Sequence, residues 1–235
     1  MRCPLGIGLL GRPGGSAPAD PTSVSGLVSW YRTYTGSPSN ALWTDTVSGN
    51  NLVQATPGFQ PVFASNWKNS KPSFLFNQVS GKFMQTAAFA GGAIANATIL
   101  LVGDYGTGTV YSAIVDGIGA SNRNIIEVNM ATPALDIYAG SSTTPYTFTN
   151  DTKAHRFAAV FNGASSIGYL DGVSRTTGAA GAQSLTGLTL GGPYNGSAAN
   201  CFNGNVGEVI IYNRVLTPAE IAKLDTYLVG QWGTA

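Results

Sequence analysis

Two tight-turn dipeptides, Asn162-Gly163 and Asp171-Gly172, stand nine residues apart, each flanked by short runs that alternate in polarity. Both dipeptides suit hairpin turns whose central residues need positive φ, so the stretch between them has room for one strand and its turns. Ahead of the first turn His155, Phe157, Ala159 and Phe161 alternate with Arg156, Ala158 and Val160. Residues 155–175 are therefore expected to form an antiparallel meander with 167–170 as its middle strand.

The same rhythm runs through most of the chain. Short apolar runs at 27–31, 42–43, 52–54, 61–63, 73–76, 82–86, 110–115, 124–130, 135–139, 185–190 and 206–212 are each bounded by Gly, Pro or Asn. Residues 97–102 are apolar nearly throughout and read as a buried central strand. More than ten short strands without an intervening helical pattern predict an all-β, two-sheet antiparallel sandwich. One helix is expected, after the last strand. Thr217 can cap it, Pro218 suits its first turn, Glu220 completes a capping box, and Ile221, Leu224 and Leu228 recur on one face.

Charged residues make up 10% of the chain, against about 25% in an average domain. With a net charge of +1 and no basic cluster, nucleic acid is not an expected partner. No apolar run reaches the ~20 residues that cross a membrane. The Leu5–Leu10 region is broken by Gly6 and Gly8 and does not make an export signal. Cys3 and Cys201 are read as free thiols. Pro4, Pro13, Pro18 and Pro21 keep residues 1–25 extended, as an arm on which Leu5, Ile7, Leu9 and Leu10 would dock to a neighbour. Residues 24–235 form one domain; association of the chain with further copies of itself stays open.

The chemistry-bearing residues are sparse. A single histidine, His155, excludes a histidine cluster for zinc, and its place at the start of a strand suggests a structural role. Glu127 shares a strand face with Asn129, not with a second carboxylate, so the paired acids of a glycosidase are missing along that strand. Asp45, Asp104, Asp116, Asp136, Asp151 and Asp171 read mostly as turn residues, and no loop is dense enough in acids to favour calcium. No cofactor or metal is expected. Tyr105, Tyr138, Tyr146 and Tyr194 lie beside small polar residues, where an aromatic face can take a sugar ring. Tyr105, Tyr138, Tyr194 and Asn195 are the candidate ligand-binding residues.

Trp30-Tyr31, Leu42-Trp43-Thr44-Asp45 with Ser48-Gly49-Asn50-Asn51, Lys71-Pro72-Ser73-Phe74, Tyr169-Leu170-Asp171-Gly172 and the stretch from Gly207 to Thr217 together resemble the laminin-G-like, concanavalin A-like lectin and glucanase superfamily. The resemblance covers residues 24–235 and implies a jelly roll of two curved sheets, closed by the strand at 206–212 and its helix. Glu208 and Arg214 are then expected as an edge-strand or loop pair. The family's catalytic branch carries paired glutamates on one strand, from which Glu127-Val128-Asn129 departs, so the resemblance implies a binding or structural role without catalysis. Similar domains occur as accessory modules of secreted enzymes and in tailed-phage virions. The expectation is a virion-surface protein attached to virion structural proteins by its arm and able to bind host glycans. A free-standing carbohydrate-binding lectin is the alternative, and a glycoside hydrolase stands behind both.

Overall fold

The computed structural model describes residues 20–106, 111–129, 131–149, 151 and 153–234. The arm positions Leu5, Ile7, Leu9 and Leu10, and Cys3, lie outside the described residues. Residues 20–23, expected in the arm, pack against the domain. Asp20 Oδ1 accepts the Thr22 amide at 2.7 Å and opens a 3₁₀ turn at Pro21–Ser23, and the Tyr212 hydroxyl donates to the Pro21 carbonyl at 2.9 Å.

Among the described residues sixteen strands, numbered in chain order, build two antiparallel sheets. The first runs β14 (Val173–Gly178), β13 (Ser166–Leu170), β12 (Ala154–Val160), β7 (Thr98–Asp104), β16 (Gly204–Tyr212), β5 (Lys71–Phe76) and β4 (Val62–Lys68), with β1 (Leu27–Arg32) also paired to β16. The second runs β11 (Tyr146–Thr147), β10 (Ala134–Tyr138), β9 (Ile125–Asn129), β8 (Tyr111–Asp116), β15 (Thr189–Leu190), β6 (Met84–Gln85), β3 (Leu52–Val53) and β2 (Leu42–Trp43). The expected sandwich is therefore present. So is the meander, as β12, β13 and β14, with φ of 52° at Asp171 and 75° at Gly172 in its second turn.

Ile99, Leu101, Phe157 and Ile211 of the first sheet meet Ile126, Val128, Leu135 and Ile137 of the second in one buried core. On the other side of the first sheet, Leu100, Val102, Val160 and Ile210 pack against Ile221, Leu224 and Leu228 of the helix α1 (Pro218–Trp232). The continuous apolar run in β7 follows from this: covered on both faces, it has no solvent side to alternate with. Each such Leu or Ile contributes roughly 1.5–3 kcal/mol by leaving water. The capping box forms as expected, with Thr217 Oγ1 accepting the Glu220 amide and the Glu220 carboxylate accepting the Thr217 amide. Gly233, at φ 58°, ends the helix in the left-handed conformation that favours glycine.

Two expectations about the end of the chain are corrected. β16 lies inside its sheet and not at an edge, flanked along one side by β7 and on the other by β5 and then β1. Glu208 is not an edge or loop residue and does not pair with Arg214, whose guanidinium instead meets Glu220. Glu208 is fully buried between β16 and α1, where its carboxylate accepts from Trp30 Nε1 at 2.6 Å, Trp232 Nε1 at 2.7 Å, the Tyr227 hydroxyl at 2.9 Å and the Tyr34 hydroxyl at 3.3 Å. Polar side chains elsewhere would be lost in such a place, yet four donors make it tenable. The neighbouring Gly207 sits at a register shift, where a Cβ would come within 2.4 Å of the Trp232 ring. Only a glycine there lets the indole reach Glu208.

Candidate functional site

The outer face of the second sheet carries no α-helix among the described residues, only the short 3₁₀ turn Ala198–Asn200 against β8. Alternation sends Ile126 and Val128 of β9 into the core and leaves Ile125, Glu127 and Asn129 facing outward. A groove of ≈ 480 Å³ lies on this face, floored by Ala113, Ile125 and Glu127 and walled by Arg123, Tyr138, Tyr194 and Asn195, with Asn200 and Ser142 on its rim. Tyr138, Tyr194 and Asn195, singled out from the sequence, are thus brought together. Tyr105 is not with them. It is 1% exposed, with its ring stacked on His155 at 4.8 Å and against Phe148 at 4.6 Å, and a ring so covered has no face to offer a ligand.

A buried ion pair holds the site in shape. The Asp116 side chain is wholly buried and that of Arg123 is 25% exposed. Arg123 donates from Nε at 3.1 Å and Nη2 at 2.8 Å to Asp116 Oδ2. Burial pushes the Asp116 carboxyl up, while the Arg123 hydrogen bond and the amide of Tyr194 pull it back. That Tyr194 amide donates to Asp116 Oδ2 at 2.9 Å, and the Tyr194 carbonyl accepts from Gln85 Nε2 at 3.0 Å. Tyr194 is therefore fixed on both sides of its α-carbon. The Arg123 guanidinium carbon lies 5.1 Å from the centre of the Tyr194 ring and 5.5 Å from that of Tyr138. One cation thereby positions both rings.

Glu127 has no such support. It makes no hydrogen bond and no ion pair with any described residue, although it is half-buried at the floor. Burial pushes its carboxyl up to about 7, the charge of Asp136 adds to the rise, and Arg123 opposes it. Asp136 is directly opposite Glu127 in the register of β9 and β10. A second acid thus stands across the hairpin, not along the strand, and counting back from the turn at Ala131-Thr132-Pro133 would have found it. Asp136 is 2% exposed and its Oδ1 accepts the Ile137 amide at 2.8 Å and the Thr143 hydroxyl at 2.7 Å. Asp104, Asp116 and Asp136, read as turn residues, instead lie within strands and are partly or fully buried. Asp45 does hold a turn, accepting the amides of Val47, Ser48 and Asn50.

Among the described residues no cluster of three or more His, Cys, Asp or Glu side chains is arranged to hold a metal ion. No helix among them is long and apolar enough to cross a membrane, which says nothing of barrels. His155 lies away from the groove, its Nδ1 at 2.7 Å from Asp171 and its Nε2 at 2.9 Å from Asp151.

Residues 95–222, more than half of the chain, match the family described as the concanavalin A-like lectin/glucanases superfamily. The chain belongs to that superfamily. No curated protein matches its sequence. Among solved structures it is similar to Trypanosoma rangeli sialidase in complex with 2,3-difluoro-KDN, at 15% identity and a TM-score of 0.64, over 88% of this chain and 33% of that one. It is also similar to the binding domain of Paraclostridial Mosquitocidal Protein 1, at 12% identity and a TM-score of 0.63, over 86% of this chain and 52% of that one. A third is domain 4 of AbnA, an extracellular arabinanase from Geobacillus stearothermophilus, in complex with arabinotriose, at 15% identity and a TM-score of 0.59, over 85% and 98%. The chain spans about a third of the sialidase and about half of the mosquitocidal binding domain. These likenesses show a shared jelly-roll fold.

Proposed function

We propose that this domain is a non-catalytic carbohydrate-binding module whose glycan lies in the groove over β8, β9 and β10. One observation carries the reading: two tyrosine rings, Tyr138 and Tyr194, flank Arg123 on the wall of a ≈ 480 Å³ groove that also presents Glu127, Asn195 and Asn200. Sugar rings combine apolar C–H faces with edge hydroxyls, and a rigid aromatic surface beside fixed polar groups matches both. The fold neighbours support it, since the arabinanase domain was solved with arabinotriose and the mosquitocidal segment is described as a binding domain. Titration of neutral oligosaccharides, arabinotriose among them, is expected to show saturable binding. Tyr194→Ala should weaken it about tenfold, the equivalent of ~1.4 kcal/mol. A broad glycan array without a saturable hit would overturn the reading.

Hydrolysis has less support. Glycosidases need both carboxyl groups at the substrate, whereas Asp136 is 2% exposed and bonded to Ile137 and Thr143. Polysaccharide turnover abolished by Glu127→Gln would reverse that judgement. Attachment to a virion through residues 1–19 is a separate proposal, motivated by Leu5, Ile7, Leu9 and Leu10. Loss of the protein from particles when those residues are deleted would support it, and full occupancy would remove it.

A further inference from the structure

We infer that Glu127 is the specificity-determining residue of the groove, admitting uncharged sugars and turning away those that carry a carboxylate. The inference rests on the carbohydrate reading above. Its basis is the distribution of charge around the floor. Arg123, the one cation lining the groove among the described residues, already has a counter-ion, being bound by Asp116 through Nε and Nη2. A sugar carboxylate entering the groove therefore finds no uncompensated positive charge.

Glu127 is the group left over. The titratable groups around its position are Tyr111 and Asp116 from β8, Asp136 and Tyr138 from β10, Arg123 from the segment before β9 and Tyr194 from the 193–200 loop. Among the described residues no lysine or histidine lines the groove. With Arg123 and Asp116 neutralising each other, the remaining charge is that of Glu127 on the floor and of Asp136 buried opposite it. A half-buried carboxyl without a protein partner keeps its hydrogen-bonding capacity for a ligand. Towards a sugar hydroxyl it is an acceptor when ionised and a donor when protonated, so an uncharged sugar is bound in either state. Towards a second carboxylate it is repulsive when ionised and a donor when protonated. Burial and the charge of Asp136 put the change between these states at about pH 7, so discrimination is full at alkaline pH and shrinks in mild acid.

Galactotriose and trigalacturonate, which differ in the oxidation of C6, are suitable probes for the full chain at pH 5.5 and 8.5. At pH 8.5 the acid is expected to bind about tenfold or more weakly than the neutral sugar, one pKa unit's worth of interaction. The gap should narrow at pH 5.5. In the near-isosteric Glu127→Gln it should be small at both pH values, with a melting curve to confirm folding. A gap indifferent to pH or to Glu127→Gln, or tighter binding of the acid at pH 8.5, overturns the inference while leaving the carbohydrate reading standing. Binding of neither probe, nor of any glycan on an array, overturns both. A ¹³C titration of the Glu127 carboxyl in the free protein tests the proton separately: a midpoint near 7 supports the inference, and one in the ordinary glutamate range overturns it.

Discussion

The two outer faces of the sandwich treat a glutamate in opposite ways. On the helix-covered face Glu208 is 0% exposed and accepts from two indoles and two phenols that come from β1, α1 and the chain just after β1. On the open face Glu127 is only half-buried and has no partner among the described residues. Both carboxyls are raised by burial, yet only Glu208 has donors drawing it back down. Burial alone thus does not separate a structural acid from a functional one. The number of donors committed to it does, because a carboxyl that the fold has satisfied has little left to offer a ligand.

Removing each side chain should expose the difference, and the largest effect belongs to Glu208. Glu208→Leu leaves Trp30 Nε1, Trp232 Nε1 and the Tyr227 hydroxyl without their acceptor beneath α1. Breaking such a buried network is expected to cost about 3 kcal/mol or more in denaturant unfolding. Glu127→Leu at pH 5 should change stability by less than about 1 kcal/mol, as groove substitutions outside a core usually do. A Glu127 variant that unfolds as readily as the Glu208 variant would erase the distinction.

How far the sequence reveals these two faces depends on the reach of each interaction. The meander, the buried strand β7 and the capped helix follow from neighbours within a few residues, and periodicity alone exposes them. Glu208 defeats that reading because its donors lie up to 178 residues away, and an acid inside an apolar run is an anomaly until the indoles are in place. The groove was half legible. Tyr194 and Asn195 show in the sequence as an aromatic beside a turn, but Arg123 and Asp116 gain their meaning only from the seven-residue return that pairs them. Tyr105 looked like Tyr138 from its neighbours in the chain. Only the stacking on His155, fifty residues on, puts it in the core.

The next effect in size is again on the open face and reads out as pH dependence. The Glu127 carboxyl is raised from 4.5 to about 7, so between those values the folded chain holds a proton that the unfolded chain has released. Its contribution favours folding at low pH and is lost as pH rises through that window. After allowance for solvent at the groove mouth, the loss is about 1–2 kcal/mol. Unfolding of Glu127→Gln should lack this fall between pH 4.5 and 7. An unchanged profile would mean that Glu127 is as well satisfied as Glu208.

The smallest effect comes from a group that belongs to neither face, and it calibrates the other two. His155 lies at the end of the core between Asp171 and Asp151, with both ring nitrogens at carboxylates, an arrangement that needs both to carry protons. Burial would lower its pKa, but the hydrogen bonds and charges of Asp171 and Asp151 outweigh that and raise it above 6.5. Asp151 is held down at about 2 against the pull of burial by the same contact together with the amide and ammonium of Lys153. The stabilisation from His155 is fully present below pH 6.5 and fades as pH rises through the higher folded value. The acids are 33% and 27% exposed at their side chains, so solvent limits the pair to about 1 kcal/mol. His155→Gln should therefore remove a shallow fall in stability above pH 6.5 while leaving the fall between pH 4.5 and 7 that Glu127 produces. If both falls vanish in the histidine variant, the lower window was never the groove's, and the contrast between the two faces would rest on Glu208 alone.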